Sequence, residues 1–159
     1  VAKNYSYRNL ILWQRAQDLA FQIIEHVQHV PQTWANAVLV RQIVASATSI
    51  GANIAEGHGR YTPGAHRNHL SIARGSTAET DSWLDLFRRA GWITSEEEAG
   101  LHAECKEIMA MLTSKMLDLD RMKHQPYPSI QEVSVAYEVS SFENQPVFPF
   151  GDADYAIDQ

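Results

Sequence analysis

The residues best equipped for chemistry lie in one short stretch, Ser49 to Arg60, which reads SIGANIAEGHGR. Asn53 and Glu56 stand there among small neighbours, with Ser49 before them and His58 and Arg60 after. A second stretch, His69 to Glu79, reads HLSIARGSTAE and supplies Arg74, Ser76 and Glu79. Amide, carboxylate, hydroxyl and guanidinium groups at such spacings can build a reaction site. They can equally join two helices by hydrogen bonds. The parts needed for nucleophilic catalysis are incomplete. Ser49 and Ser76 have no base beside them at a strained turn. Gly57-His58-Gly59 lacks the Lys-Ser/Thr pair of a phosphate loop. Cys105, the single cysteine, falls on an apolar stripe, where a thiol stays protonated and inert.

Seven histidines raise the question of a metal. His66 and His69 stand three apart, as do His26 and His29, and His58 lies close by in sequence. Such a pair can chelate zinc or nickel, but a protein site needs further ligands. The Glu-x-x-His pairs of carboxylate-bridged metal bundles are absent from the sequence. Exposed histidines are the simpler reading, with no metal and no cofactor expected.

Four helical segments would position these residues. Apolar spacings of three and four predict a first helix from about residue 9 to 30, with Trp13, Ala16, Ala20, Ile23 and Val27 inward. Pro31 ends it. A second runs from about 35 to 57 on Ile43, Ala47, Ile50 and Ile54, and Gly57 and Gly59 are expected to stop it in the left-handed region. The third starts at Thr62, an N-cap, with Pro63 at the first helical position. It carries Leu70, Ala73, Thr77, Leu84 and Phe87 inward and ends at Gly91. The fourth starts at Thr94 or Ser95, with Glu96, Glu97 and Glu98 at the positive end of the helix dipole. Its stripe runs from Leu101 through Cys105, Ile108, Leu112, Met116 and Leu119 to Met122. This pattern predicts an all-α, antiparallel up-down-up-down four-helix bundle over residues 1–123.

On a wheel of about 100° per residue, Gln42, Ser46, Ser49, Asn53, Glu56 and Arg60 share an arc beside the core stripe of the second helix, bordered by Ala45 and Ala52. A solvated face normally carries long charged side chains. A face of Ser, Ala and Asn lets another backbone approach and bond across the contact. The third helix matches it with Ser71, Ala73, Gly75, Ser76, Thr77 and Ala78. Gly75 costs roughly 1 kcal/mol against alanine inside a helix, which suggests a close approach there. Glu79, among Ile72, Trp83 and Leu86, calls for a partner, for which Arg74 or another arginine is the candidate. Ser49, Asn53, Glu56, Arg60, Arg74, Ser76 and Glu79 are therefore read as a structural polar network or interface.

The net charge of −6 is unevenly placed. Residues 1–123 hold 13 basic and 13 acidic side chains; residues 124–159 hold six acids and neither Lys nor Arg. That last segment has four prolines and several aromatic rings. It reads as an extended acidic C-terminal arm that docks on its own bundle or on a neighbouring subunit. Nucleic-acid binding needs basic groups to neutralise phosphates. The candidates are Arg41, Arg60, Arg67, Arg88 and Arg89, against equally numerous acids. The lone cysteine fits a reducing compartment. Neither a signal peptide nor a run of about 18 apolar residues is evident. A cytoplasmic location with no membrane partner is expected.

The motif LxxWQRAxxLA (Leu10 to Ala20), followed by SIGANIAEGHGR and HLSIARGSTAE, resembles a bacterial four-helix bundle family first noticed as proteins encoded in intervening sequences of 23S ribosomal RNA genes. The likeness covers about residues 7–123. It implies a ring-like homopentamer and no known catalysis. Related bundles include the accessory protein of diversity-generating retroelements, a basic pentamer that binds a reverse transcriptase and nucleic acid; this body is neutral and its arm acidic. The expectation is a non-enzymatic, homopentameric assembly or adaptor. The alternative is an accessory protein for RNA, DNA or a reverse transcriptase.

Overall fold

The computed structural model describes residues 6–123. The expected C-terminal arm, and with it the domain boundary after residue 123, lies outside the described residues. A short 3-10 turn, Tyr7–Asn9, leads into four helices: α1 (Ile11–Val27), α2 (Trp34–His58), α3 (Pro63–Arg89) and α4 (Ser95–Lys123). The described fold is an all-α four-helix bundle. Paired side chains fix the register. Arg15 meets Glu104 while His26, further along α1, meets Glu97, so α1 and α4 run in opposite senses. Arg67–Asp120 and Arg88–Glu98 set α3 against α4 in the same way.

The core is the set of inward stripes. Ala16, Leu19 and Ile23 of α1, Ile43, Ala47, Ile50 and Ile54 of α2, Leu70, Ala73, Leu84 and Phe87 of α3, and Leu101, Cys105, Ile108 and Leu112 of α4 are all buried. The α1 stripe is wider than the spacing suggested. Leu12 and Leu19 are inside, and Trp13 is only half-buried. It packs against the edge of the core, and its indole also meets Tyr7 edge-on at 5.3 Å. At the far end of α4, Met116 is half-buried and Met122 is exposed.

Local signals place the helix ends. Thr33 and Thr62 accept from Asn36 N–H and Ala65 N–H, capping α2 and α3. At α3's other end Gly91 has φ +74°, Gly91 N–H donates to Arg88 O and Trp92 N–H to Phe87 O. The Phe87 and Trp92 rings meet edge-on at 4.9 Å, giving the left-handed helix stop with its apolar clasp. The second helix ends otherwise than expected. Gly57 lies inside α2, and Gly59 caps it with φ −78°. The left-handed region is used at neither position.

Helix α4 opens on a reciprocal pair: Thr94 N–H donates to Glu97 Oε2 at 2.7 Å and Glu97 N–H to Thr94 Oγ1 at 3.2 Å. The bonds to Thr94, with help from His26, hold the Glu97 carboxyl below its usual pKa. A depressed carboxyl contributes stability above the ordinary glutamate pKa, lost as pH falls through the lowered value. Thr94→Ala keeps the backbone donor but loses the hydroxyl. The pKa of Glu97, followed by NMR titration, is expected to rise part of the way to its ordinary value.

Candidate functional site

A ladder of polar side chains runs between α2 and α3. At its buried end the Thr80 hydroxyl reaches the Ser46 hydroxyl at 3.0 Å and the Ser76 carbonyl at 2.9 Å. One step outward the Ser76 hydroxyl donates to Ser49 Oγ at 3.0 Å. Next, Asn53 Nδ2 donates to the Ser49 carbonyl at 2.9 Å and to its hydroxyl at 3.1 Å. Asn53 Oδ1 faces His69 Nδ1 at 3.3 Å. Arg60, just past α2, donates through Nε to His69 Nε2 at 3.1 Å, and its Nη2 pairs with Glu56. Because Nε2 accepts from Arg60, the ring proton must sit on Nδ1, the atom facing the amide oxygen. Donation therefore runs one way, from Arg60 through His69 and Asn53 to Ser49. Sequence numbers rise along α2 as they fall along α3, which makes this pair antiparallel as well.

Backbone proximity makes the ladder feasible. Gly57 is buried, and a Cβ there would lie 3.0 Å from His69 Cβ and 3.2 Å from the His66 carbonyl oxygen. Glycine lets α3 close onto α2 at the point where His69 must reach Asn53.

Five of the seven residues read as a network meet here: Ser49, Asn53, Glu56, Arg60 and Ser76. The other two do not. Arg74 turns to α4, donating through Nε to Thr113 Oγ1 at 3.1 Å. Glu79 is exposed and accepts from Trp83 Nε1 at 3.3 Å. It needs no arginine, because water reaches it. Gly75 faces open space: a Cβ placed there would meet nothing within 4 Å among the described residues. The close approach expected there is absent among the described residues. Ser46, Thr80 and His69 complete the ladder. Ser46 lay on the predicted arc, but Thr80 and His69 needed the α2–α3 register, which one helix cannot reveal.

Both ring nitrogens of His69 are engaged, and neither faces a serine. His66 meets His58 edge-on, centroids 6.3 Å apart. Among the described residues no three His, Cys, Asp or Glu side chains converge as metal ligands. Burial, then the charges of Asp81 and Glu104, pushes the Cys105 thiol up to about 12. Iodoacetamide is expected to leave it unmodified in the folded chain and to alkylate it once denaturant opens the bundle; mass spectrometry reads the difference.

The family model described as 23S rRNA-intervening sequence protein matches residues 8–114. The chain belongs to this family. No curated protein matches it. A crystal structure from Bacteroides thetaiotaomicron, titled as a protein with unknown function from the S23 ribosomal protein family, is 29% identical. The match covers 67% of this chain and 98% of that one, with a TM-score of 0.62. In this intervening-sequence family member the candidate nucleic-acid contacts are mostly neutralised. Arg60 pairs with Glu56, Arg67 with Asp120, Arg88 with Asp85 and Glu98, and Arg89 with Asp85. Arg41 is exposed with no ion pair among the described residues.

The composition of α2 bears on the expected absence of a membrane-length apolar segment. By length and composition alone the helix could cross a membrane, with a mean hydropathy of 1.3 over its best window. No long unbroken apolar run produces this; alanine, valine and isoleucine interspersed with serine do. Its inner face fills the bundle core. Its outer face is exposed, and carries Trp34, Val38, Ala45, Thr48 and Ala52 around Arg41, with Glu56 at its C-terminal end. The Thr48 hydroxyl is spent on the Val44 carbonyl at 2.8 Å, so even this polar residue has its donor turned inward.

Proposed function

We propose that the protein is a non-enzymatic assembly unit, a homopentamer whose copies meet through the outer face of α2 and the neighbouring side of α3. The outer face of α2 is the observation that carries this reading. Trp34 is 86% exposed and Val38 45% exposed, and Arg41 is the one charged residue between positions 34 and 55. Solvent-facing helix surfaces ordinarily carry a polar stripe, and contiguous apolar surface marks an interaction site. On α3, Ile72 and Leu86 are exposed on the side that continues this face past the ladder. The ladder then serves to hold α2 and α3 as one rigid plate. The subunit count of five comes from the family resemblance; the apolar face supports assembly without fixing the number.

Light scattering on the purified chain tests the reading. A mass near five times 17.9 kDa is expected, and a monomer at micromolar concentration overturns it. The accessory role in nucleic-acid binding is the second reading, favoured by Arg41, which assembly would repeat in each copy. A salt-dependent mobility shift with RNA would support it.

A further inference from the structure

A five-membered ring cannot close by pressing one patch against its own copy. A self-complementary contact joins two subunits and stops there. Each copy in a ring must offer two different patches that fit each other. The outer face of α2 is one such patch, and the outer face of α3 has the properties its complement needs.

The two faces are alike in make-up and opposite in charge. On α2, exposed Val38, Ala45, Thr48 and Ala52 surround Arg41. On α3, exposed Ile72, Gly75, Ala78, Ser82 and Leu86 surround Glu79. These α3 residues span about 120° of the helix wheel, on the side away from buried Ala73, Thr77 and Leu84. The charges bordering that arc are engaged elsewhere: Arg74 donates to Thr113 of α4, and Asp85 pairs with Arg89. Glu79 accepts from Trp83 of its own helix, and neither it nor Arg41 has an ion pair among the described residues. In a single chain water satisfies both. Once a neighbour covers these faces, each charge needs a partner. Gly75 fits the same picture. It weakens the helix by comparison with alanine, yet a Cβ there would meet nothing within 4 Å. A helix from another copy gives that glycine a close approach to serve.

The bonds Ser46–Thr80 and Ser49–Ser76 show which α3 residue stands level with each residue of α2. In a ring whose axis runs along the bundles, neighbours stand at the same height, so the relation carries over between copies. Thr48 then faces Ala78. Arg41 lies about six residues, or roughly 9 Å at 1.5 Å per residue, along the axis from Glu79, within the combined reach of the two side chains.

Granted the assembly on which this rests, we infer that α2 of one copy packs on α3 of the next, with Arg41 paired to Glu79 across the contact and Gly75 at the close approach. The pair fixes the register of the two helices, since like charges facing each other across a contact are strongly disfavoured.

Sedimentation velocity of the full chain over a concentration series tests the pairing. Arg41→Glu and Glu79→Arg are each expected to raise the concentration of half-dissociation about tenfold or more. Combining them restores opposite charges and is expected to bring that concentration back to near the parent value. Lys106→Glu, a reversal on the exposed side of α4, is expected to leave it unchanged. Thr48→Cys alone is expected to stay uncrosslinked under oxidation, because its neighbour across the contact is Ala78. A parent that assembles while the single reversals have no effect, or a combined variant no better than the single ones, overturns the pairing and leaves the assembly standing. A covalent dimer of Thr48→Cys would put α2 against α2 and overturn the contact itself. A monomeric parent overturns the assembly, and this contact with it.

Discussion

Gly57→Ala is expected to destabilise the bundle by roughly 1–2 kcal/mol, although alanine is the better helix former. The added methyl would lie 3.0 Å from His66 Cδ2, 3.0 Å from His69 Cβ and 3.2 Å from the His66 carbonyl oxygen. Two of those atoms belong to or adjoin the α3 backbone and cannot swing aside. The first turns of α3 must move off α2, carrying His69 away from Asn53. Overpacking of this kind costs about 1–3 kcal/mol, against roughly 1 kcal/mol gained by replacing glycine in a helix. Two other helical glycines separate the causes. At Gly51 the new Cβ would meet Gln17 Oε1, but that atom is the tip of an exposed side chain that can rotate. Gly51→Ala is expected to be neutral or mildly stabilising. At Gly75 there is open space, and alanine is expected to stabilise an isolated chain by about 1 kcal/mol. Thermal melts of the three variants read the order directly. A Gly57→Ala melt at or above the parent temperature would mean that α3 can shift at no cost.

The same glycines show what a sequence can and cannot disclose. Gly91 was readable because one helix decides it: the apolar stripe stops, and the residue after the cap takes φ +74°. Thr62-Pro63 and Thr94 with Glu97 are equally local, and α3 and α4 begin where those residues put them. Gly57 looked like another stop, yet it is a packing glycine, because what fixes its role is His69 of a different helix. Ser49 and Asn53 could be assigned to one arc from α2 alone. That Ser76, Thr80 and His69 stand opposite them depends on the α2–α3 register. The Glu79–Arg74 pairing failed for the same reason. The arginine lies on the side of α3 that meets Thr113, and the glutamate lies in water. Ion pairs between helices, such as Arg15–Glu104 with both bonds at 2.7 Å, carry no periodicity and leave no trace in a one-dimensional pattern.

Thr48→Glu is expected to abolish assembly while leaving the folded chain intact. Thr48 lies on the exposed face of α2, flanked there by Ala45 and Ala52. Its hydroxyl bonds only to carbonyls of its own helix, Val44 and Ala45. Among the described residues the substitution therefore removes no tertiary hydrogen bond, and glutamate is at least as good a helix former as threonine. Ala45 would be a poorer choice, because a glutamate there stands four residues from Arg41 and could be neutralised. Ala52 stands four residues before Glu56, which would add repulsion within the helix. Position 48 has no charged residue three or four away on α2. In an assembly that buries this face, every copy would place an unpaired carboxylate in a low-dielectric contact. Such burial is strongly unfavourable without a partner. Light scattering should report a multimer for the parent and a monomer for Thr48→Glu, with matching helical dichroism. Retention of the parent mass would put the contact on another surface. A parent chain that is itself monomeric but partitions onto vesicles through α2 would replace subunit contact by lipid contact on the same apolar face.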